Sequence, residues 1–286
     1  MILVTGATGT VGRPLVDALR AAGAPVRAVS RDATAAALPV PVVEADPAQP
    51  RSLAEALDGV TALFLHPRAV GAAAADLVAL ARERGVRRVV ALSAMNVDDP
   101  LAEQPSRYRG DRNKEAEDAA VGSGLGWTSL RVGAFAGNAV GMFGAQLRAG
   151  DVVRYPFPGF AESPIHERDI AEVAARALLT DDLVDQRLDL TGPRSLTHAD
   201  MVAIIGDVLG RRLRYEEIPV ADAAARMVAH GLPEPFVTAL MARYTRHADA
   251  PQHPPTDDVA KVLGRPARPF AEWVADNAAA FQNADR

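Results

Sequence analysis

Cysteine is absent from this sequence, and so are long apolar runs. Without cysteine the chain has no disulfide bond, no thiol nucleophile and no cysteine-ligated metal site, which makes a cytoplasmic location the expected one. No apolar run reaches the roughly 20 residues that a membrane-spanning helix needs. The amino terminus also lacks the basic stretch that begins a signal peptide. We therefore expect a cytoplasmic protein that does not associate with membranes.

An excess of positive charge is missing as well. The formal net charge is −5 and the pI is near 5.7, values that argue against nucleic acid as a partner. With 49% hydrophobic and 23% charged residues, the composition is that of a globular protein. His247 and His253 lie in a proline-rich stretch without neighbouring ligands, so we expect no metal site. The expected partner is a small-molecule substrate, and the sequence leaves a homodimer possible.

Three glycines near the amino terminus form the strongest motif. An apolar run at residues 2–5 leads directly into glycines spaced three residues apart, and a helical pattern follows over residues 11–22. A strand, a glycine turn and a helix in this order predict a dinucleotide-binding turn, in which the backbone approaches a pyrophosphate at the helix N-terminus. The residues that we expect to contact the cofactor here are Gly6, Ala7, Thr8, Gly9, Thr10, Val11 and Gly12.

Short apolar runs then alternate with helical patterns up to residue 132. The predicted strands are 2–5, 26–30, 41–44, 62–66, 88–93 and 127–132, and the predicted helices include 11–22, 51–57, 72–84 and one that ends near residue 121. Strands separated by helices of this length run parallel. We therefore predict an α/β fold, a Rossmann-type doubly wound parallel sheet whose ligand crevice lies at the carboxyl ends of the strands.

The second half of the chain is mostly helical. We predict that residues 1–132 form an NAD(P)-binding Rossmann domain, to which elements at about 165–191 return. Residues 133–286 are predicted to form a smaller, mostly helical substrate-binding lobe.

The end of the second predicted strand bears on the choice of cofactor. An acidic residue at this position would bind the ribose 2′-hydroxyl of NAD, but the strand ends in Ser30 and Arg31. A hydroxyl and a guanidinium suit a 2′-phosphate, so we predict that NADP(H) is preferred over NAD(H). The alternative is a solvated surface arginine, because Asp32 follows directly.

Two further strand ends supply candidate cofactor contacts. Asp46 and Pro47 follow the third strand, where Asp46 either accepts a hydrogen bond from the adenine amino group or simply starts a turn. Leu65 and His66 end the fourth strand, which places them beside the ribose or the nicotinamide of the cofactor.

The candidate catalytic residues are Ser93 and Lys114. Ser93 ends the fifth strand, where its hydroxyl either bonds the reacting carbonyl and the cofactor or satisfies local backbone groups. A catalytic tyrosine four residues before a lysine would share its helix face, but Tyr108 lies six residues before Lys114, so that pairing fails. Lys114 is expected to bind the nicotinamide ribose and to assist a proton equilibrium. The alternative is a solvated ion pair with Glu117.

These segments resemble the NmrA-like branch of the atypical short-chain dehydrogenase/reductase family. The resemblance lies in GATGTVG at 6–12, ADP at 45–47, NKEAE at 113–117 and GLGWTSLR at 124–131, and segments at 166–173, 262–266 and 270–274 agree with it. That branch includes NADPH-dependent quinone oxidoreductases, isoflavone-type reductases and regulatory proteins that bind the dinucleotide without turnover. The resemblance implies that Lys114 acts like the helix-borne lysine of the reductases.

Aromatic residues concentrate between residues 133 and 164. This stretch follows the sixth strand and would lie over the nicotinamide end of the crevice, where an apolar wall accepts a flat aromatic or quinone-like substrate. The alternative is that its rings form the core of the smaller lobe. The predicted substrate contacts are Phe135, Asn138, Met142, Phe143 and Tyr155.

Taken together, the residues predict a NADPH-dependent oxidoreductase. Hydride would pass to a small apolar or aromatic acceptor, such as a quinone, an enone or a ketone of secondary metabolism. A quinone needs no strong general acid, which fits the missing tyrosine. A NADP(H)-sensing regulatory protein without catalysis fits the same observation and is the alternative.

Overall fold

The computed structural model describes residues 1–248 and 253–283 and has eleven strands in that part of the chain. Seven of them form one parallel sheet in the order β3-β2-β1-β4-β5-β6-β9, which confirms the predicted doubly wound sheet. The strands are β1 (Ile2–Val4), β2 (Val26–Ser30), β3 (Val42–Glu44), β4 (Ala62–Leu65), β5 (Arg88–Ala94), β6 (Gly126–Val132), β7 (Val152–Tyr155), β8 (Ala161–Glu162), β9 (Gln186–Leu190), β10 (Leu196–Thr197) and β11 (Arg214–Glu217).

Twelve α-helices cover the sheet and build the second lobe within the described ranges. Apolar side chains of α1, α7 and α11 pack on one face of the sheet, and those of α4 and α5 pack on the other. The helices are α1 (Gly12–Ala21), α2 (Ala33–Ala36), α3 (Pro67–Val70), α4 (Ala74–Glu83), α5 (Asn113–Val121), α6 (Ala145–Ala149), α7 (Glu167–Leu179), α8 (His198–Leu209), α9 (Val220–Ala229), α10 (Glu234–Arg246), α11 (Asp258–Leu263) and α12 (Phe270–Asp276).

The prediction of a helix at residues 51–57 is wrong. A single 3₁₀ turn at Pro50–Leu53 occupies its place, followed by turns as far as residue 59. Leu53 and Leu57 are fully buried, and their four-residue spacing imitates a helix face. The N–H groups of Ser52 and Ala54 bond the carbonyl oxygens three residues earlier, which is a turn pattern, and burial of the two leucines produces the four-residue spacing.

The second lobe has its own core, which lies beyond the carboxyl end of β6. It combines the parallel pair β7 and β11, the antiparallel pair β8 and β10, and apolar faces of α8, α10 and α12. α7 and β9 lie with the sheet, and so does α11. Within the described ranges no helix is long and apolar enough to span a membrane. Part of the proline-rich stretch between His247 and His253, residues 249–252, lies outside the described residues.

Candidate functional site

At two of the three motif glycines, neighbouring atoms of the protein leave no room for a side chain. Gly6 has φ +64°, and a Cβ there would lie 2.6 Å from Cγ of His66. A Cβ on Gly12 would lie 2.2 Å from the carbonyl oxygen of Gly6. The turn therefore folds back on itself and on the end of β4 so closely that only glycine fits at both places.

Gly9 is different, because the protein fills little of the space next to it. The nearest atom to a Cβ at Gly9 is the Gly6 carbonyl oxygen, at 3.2 Å. Helix α1 begins directly afterwards at Gly12, and no side chain caps the N–H groups of its first turn. The positive end of a helix beside an open glycine backbone is where a pyrophosphate binds. The turn thus fits a dinucleotide.

Thr5 and His66 fix the turn to the sheet. The Thr5 hydroxyl donates to the carbonyl oxygen of Phe64 at 2.8 Å and accepts the His66 N–H at 2.9 Å. The His66 ring packs against Gly6, and its Nδ1 accepts the backbone N–H of Arg68. Burial lowers the pKa of His66, so the ring is neutral at pH 7. His66 therefore borders the predicted cofactor crevice, whereas the Leu65 side chain is fully buried in the core.

At the end of β2 the structure separates the roles of three neighbouring residues. The Ser30 hydroxyl donates to the Asp32 carbonyl oxygen at 2.8 Å. The Asp32 carboxylate accepts the Ala35 N–H at 2.8 Å and caps α2, so this acid serves the local helix. Arg31 is exposed and has no hydrogen bond or ion pair within the described part of the chain. Its contact with a 2′-phosphate stays a prediction.

Asp46 makes a local turn after β3. Its Oδ1 accepts the Ala48 N–H at 3.0 Å, and its Oδ2 lies 3.3 Å from the side-chain nitrogen of Gln49. Asp46 is half-buried and Pro47 is buried. The geometry is that of an Asx turn, and the predicted contacts of Asp46 and Pro47 with the cofactor stay predictions.

A buried carboxylate that the sequence did not reveal lies below the crevice. Glu117 of α5 is 3% exposed and accepts hydrogen bonds from the side chains of Ser93, Ser129, Arg131 and Arg187, the closest at 2.6 Å. Burial alone would raise the pKa of Glu117, but the bonds from Arg131, Ser129, Ser93 and Arg187 outweigh it and lower the pKa to about 2. Glu117 therefore ties α5 to β5, β6 and β9 as a permanent anion.

Ser93 belongs to this network. Its hydroxyl donates to Oε2 of Glu117 at 2.8 Å, and the residue is 3% exposed. A serine has one hydroxyl proton, so in this structure Ser93 has only its lone pairs left for a ligand. The role of Ser93 toward cofactor and substrate stays a prediction, with the hydroxyl as an acceptor.

Lys114 lies in the first turn of α5. Its Nζ lies 2.5 Å from Oδ1 of Asp118, and not beside Glu117, so the expected surface pair has another partner. The Lys114 side chain is 39% exposed, and an exposed pair of this kind holds it only weakly. Four residues earlier stands Gly110, with no side chain, and the Tyr108 hydroxyl donates to the Ala102 carbonyl oxygen. Tyr108 therefore does not replace the tyrosine of the usual relay.

The predicted substrate residues fall into two groups. Phe143 and Tyr155 are 0% and 5% exposed and pack edge-to-face with ring centroids 5.6 Å apart in the core of the second lobe. Buried rings of this kind offer no surface to a ligand, so the core interpretation describes both. Phe135 and Met142 are half-buried and Asn138 is exposed. These three lie on the segment that leaves β6, and their contact with a substrate stays a prediction.

The aromatic core surrounds a buried histidine. His198 is 0% exposed, and its ring lies 5.1 to 6.2 Å from the ring centroids of Phe143, Tyr155, Phe160 and Tyr244. Its Nδ1 lies 3.3 Å from the Pro156 carbonyl oxygen, whereas Nε2 has no partner in the described part of the chain. Burial lowers the pKa of His198, so the core holds the neutral ring.

Comparisons with known proteins identify the family of this chain. A family model for NAD(P)H-binding proteins matches residues 6–181. The chain is 35% identical over 98% of its length to the (4-alkanoyl-5-oxo-2,5-dihydrofuran-3-yl)methyl phosphate reductase of Streptomyces griseus, of which it covers 99%. It is 34% identical over 98% of its length to the NAD(P)H azoreductase of Xenophilus azovorans, of which it also covers 99%.

Solved structures show the same fold. The NADPH-dependent quinone oxidoreductase of Escherichia coli in complex with NADPH matches with a TM-score of 0.81 at 24% identity, covering 97% of this chain and 100% of that one. The resemblance stated from the sequence is therefore confirmed, and so is the prediction of an enzyme. The chain belongs to the NAD(P)H-binding family, on its NmrA-like, atypical short-chain dehydrogenase/reductase branch, and is an NAD(P)H-dependent oxidoreductase.

Proposed function

We propose that this enzyme prefers NADPH and reduces a small, conjugated apolar or aromatic acceptor, such as a quinone, an enone or a ketone. The observation that carries the proposal is the combination of a complete dinucleotide turn with an incomplete proton relay. Gly6, Gly9 and Gly12 fit a pyrophosphate, while Gly110 stands four residues before Lys114, where the tyrosine of the usual relay would be. The turn suits the cofactor, but within residues 1–248 and 253–283 no tyrosine stands beside Lys114 to protonate a poor acceptor.

The residues at the carboxyl edge of the sheet would hold the cofactor. The turn and the N-terminus of α1 would take the pyrophosphate, Arg31 would bind the 2′-phosphate, and the neutral ring of His66 packs against the turn. When bound, the reduced nicotinamide supplies hydride to an electrophilic acceptor. Lys114, which an exposed pair with Asp118 holds only weakly, is free to turn toward the nicotinamide ribose.

The missing tyrosine favours acceptors whose reduced form is already a stable anion. A reduced quinone, or the enolate that hydride addition to an enone leaves, takes its proton from water without an enzyme acid, whereas an isolated ketone needs general acid catalysis. Lys114 then supplies positive charge near the developing negative charge rather than a proton. Phe135, Asn138 and Met142 on the segment after β6 would hold the flat face of the acceptor and exclude water.

The relatives support this class of acceptor. The Streptomyces griseus relative is a reductase of an alkanoyl-dihydrofuranone phosphate and the Xenophilus azovorans relative is an azoreductase. A quinone oxidoreductase of Escherichia coli is 27% identical over 96% of this chain. The unsaturated furanone, azo and quinone groups are all conjugated π systems that accept a hydride, and we extend this property to the acceptor of the present chain.

The test is NADPH oxidation by the purified protein with a panel of quinones, cyclic enones and isolated, unconjugated ketones. We expect turnover with the quinones and enones and much slower turnover with isolated ketones. Lys114→Ala should lower kcat by roughly tenfold to a hundredfold, while Lys261→Ala should leave it unchanged. Lys261 is the matched control, because it also forms exposed helix pairs, with Asp257 and Asp258. Tight NADPH binding without turnover on any acceptor would instead identify a dinucleotide sensor.

A further inference from the structure

Arg13, on the first turn of α1, spans the gap between the glycine turn and the segment behind β2. Its Nε donates to the carbonyl oxygen of Thr8 at 3.2 Å. Its two terminal nitrogens donate to the carbonyl oxygens of Ala36 at 3.0 Å and Ala37 at 3.3 Å. Thr8 belongs to the glycine turn, and Ala36 and Ala37 end α2, which follows Arg31. The guanidinium is therefore fixed between the two segments that would enclose the adenosine end of the cofactor.

The charge of Arg13 is held but not neutralised. All three of its partners are neutral carbonyl oxygens, and within residues 1–248 and 253–283 no carboxylate forms an ion pair with it. An arginine has five N–H donors in a planar fork. Three are used here, and two stay available on an exposed side chain. A fixed cation with spare donors is a ready receptor for an anion.

The neighbouring acids are engaged elsewhere and do not take this role. The Asp32 carboxylate caps α2 through the Ala35 N–H. The Glu44 carboxylate accepts the Ala33 N–H at 3.3 Å. Arg31, at the end of β2, is exposed without a partner in the described part of the chain. Arg31 thus lies in the segment 30–37 and Arg13 beside it, and the two nearby acids, Asp32 and Glu44, accept bonds from backbone N–H groups.

We propose that Arg13 is a second residue that selects the 2′-phosphate of NADP(H), acting together with Arg31. This inference rests on the proposed preference for NADPH. The carbonyl bonds hold the fork in place, and its remaining N–H groups donate to a phosphate monoester that carries about two negative charges. The 2′-hydroxyl of NAD(H) offers no charge to this receptor, so Arg13 adds little to NADH binding.

Arg13 also has a structural role that the test must separate from selection. Its bonds to Ala36 and Ala37 close the end of a four-residue helix, and its bond to Thr8 braces the glycine turn. If bracing were its whole role, replacing Arg13 would weaken NADPH and NADH equally. If it selects the phosphate, the loss falls on NADPH alone.

The experiment measures dissociation constants of NADPH, NADH and 2′,5′-ADP for the full chain by calorimetry. We expect Arg13→Ala to weaken NADPH and 2′,5′-ADP by roughly tenfold to a hundredfold and NADH by less than about twofold. Arg13→Lys should recover part of the affinity, because it keeps the charge without the fork. Arg20→Ala is the matched control, an exposed arginine in the last turn of the same helix.

The other outcomes have distinct meanings. An equal loss for both dinucleotides, or no loss for either, overturns the inference about Arg13 while the reductase proposal stands. A wild-type protein that binds NADH as tightly as NADPH overturns both the cofactor preference and the role of Arg13. If Arg13→Ala does not fold, Arg13→Lys decides, because a weaker binding of 2′,5′-ADP without a change for NADH supports selection, and unchanged binding contradicts it.

Discussion

The Glu117 network predicts a large and pH-dependent contribution to stability. The four side chains that bond Glu117 bring its pKa from 4.5 to about 2 in the folded protein. Each unit of difference between the pKa in the folded and in the unfolded state corresponds to about 1.4 kcal/mol, so the ionised carboxylate stabilises the fold by about 3 kcal/mol. Glu117→Gln removes this charge and leaves Arg131 and Arg187 without their shared partner. We expect the free energy of unfolding at pH 7 to fall by about 3 kcal/mol.

The sign of the pH dependence follows from the lowered pKa of Glu117. The folded protein holds the proton less tightly than the unfolded chain does, so this contribution is fully present above about pH 4.5 and is lost as the pH falls toward 2. The difference between wild type and Glu117→Gln should therefore shrink across that window. Urea unfolding of both proteins at pH 7 and at pH 3, followed by circular dichroism, measures this difference in the free energy of unfolding.

Glu115 provides the matched control for this prediction. It lies two residues away on α5 and forms a bidentate pair with Arg107, but its side chain is 33% exposed. Glu115→Gln should cost at most about 1 kcal/mol. The reasoning is refuted if Glu117→Gln costs no more than Glu115→Gln, or if its cost is the same at pH 7 and pH 3.

Three further predictions test other parts of the structure. Gly12→Ala should weaken NADPH binding by roughly tenfold or more, because its Cβ would meet the Gly6 carbonyl oxygen, while Gly141→Ala, with no atom within 4 Å, should not; calorimetry compares them. Below about pH 6.5 the unfolded wild-type chain protonates His198, whereas the folded core keeps it neutral, so the wild type loses stability there and His198→Phe should not lose this part. Urea unfolding at pH 7 and pH 5 measures the difference. Phe143→Ala should lower the free energy of unfolding by about 3 to 5 kcal/mol if the ring is core, as its full burial indicates.

The parts of the fold that depend on local order could be predicted from the sequence. Strand, glycine turn and helix follow one another within a few residues, and the rule for parallel crossovers supplies the rest of the sheet. The helix prediction for residues 51–57 failed because two buried leucines four residues apart give the same sequence pattern in a 3₁₀ turn as in a helix. Burial, and not helix formation, sets that spacing.

The Glu117 network and the Arg13 bridge could not be predicted, because their partners are distant in sequence. Ser93, Arg131 and Arg187 come from three strands, and only the register of the sheet brings them to one carboxylate. The one signal was that Glu117 and Arg131 lie in two segments that carry the family resemblance. Arg13 meets Ala36 only after α1 and α2 have packed. The spacing of residues along the chain does not indicate contacts of this kind.

Hydride transfer from NADPH to a conjugated acceptor can be followed directly with deuterium. The most direct measurement uses NADPH that carries two deuterium atoms at C4 of the nicotinamide, with a cyclic enone as acceptor and mass spectrometry of the product. We predict a reduced product that is heavier by one deuterium and an equal amount of oxidised cofactor. A protein that binds NADPH yet forms no product, or a product without deuterium, would contradict the account.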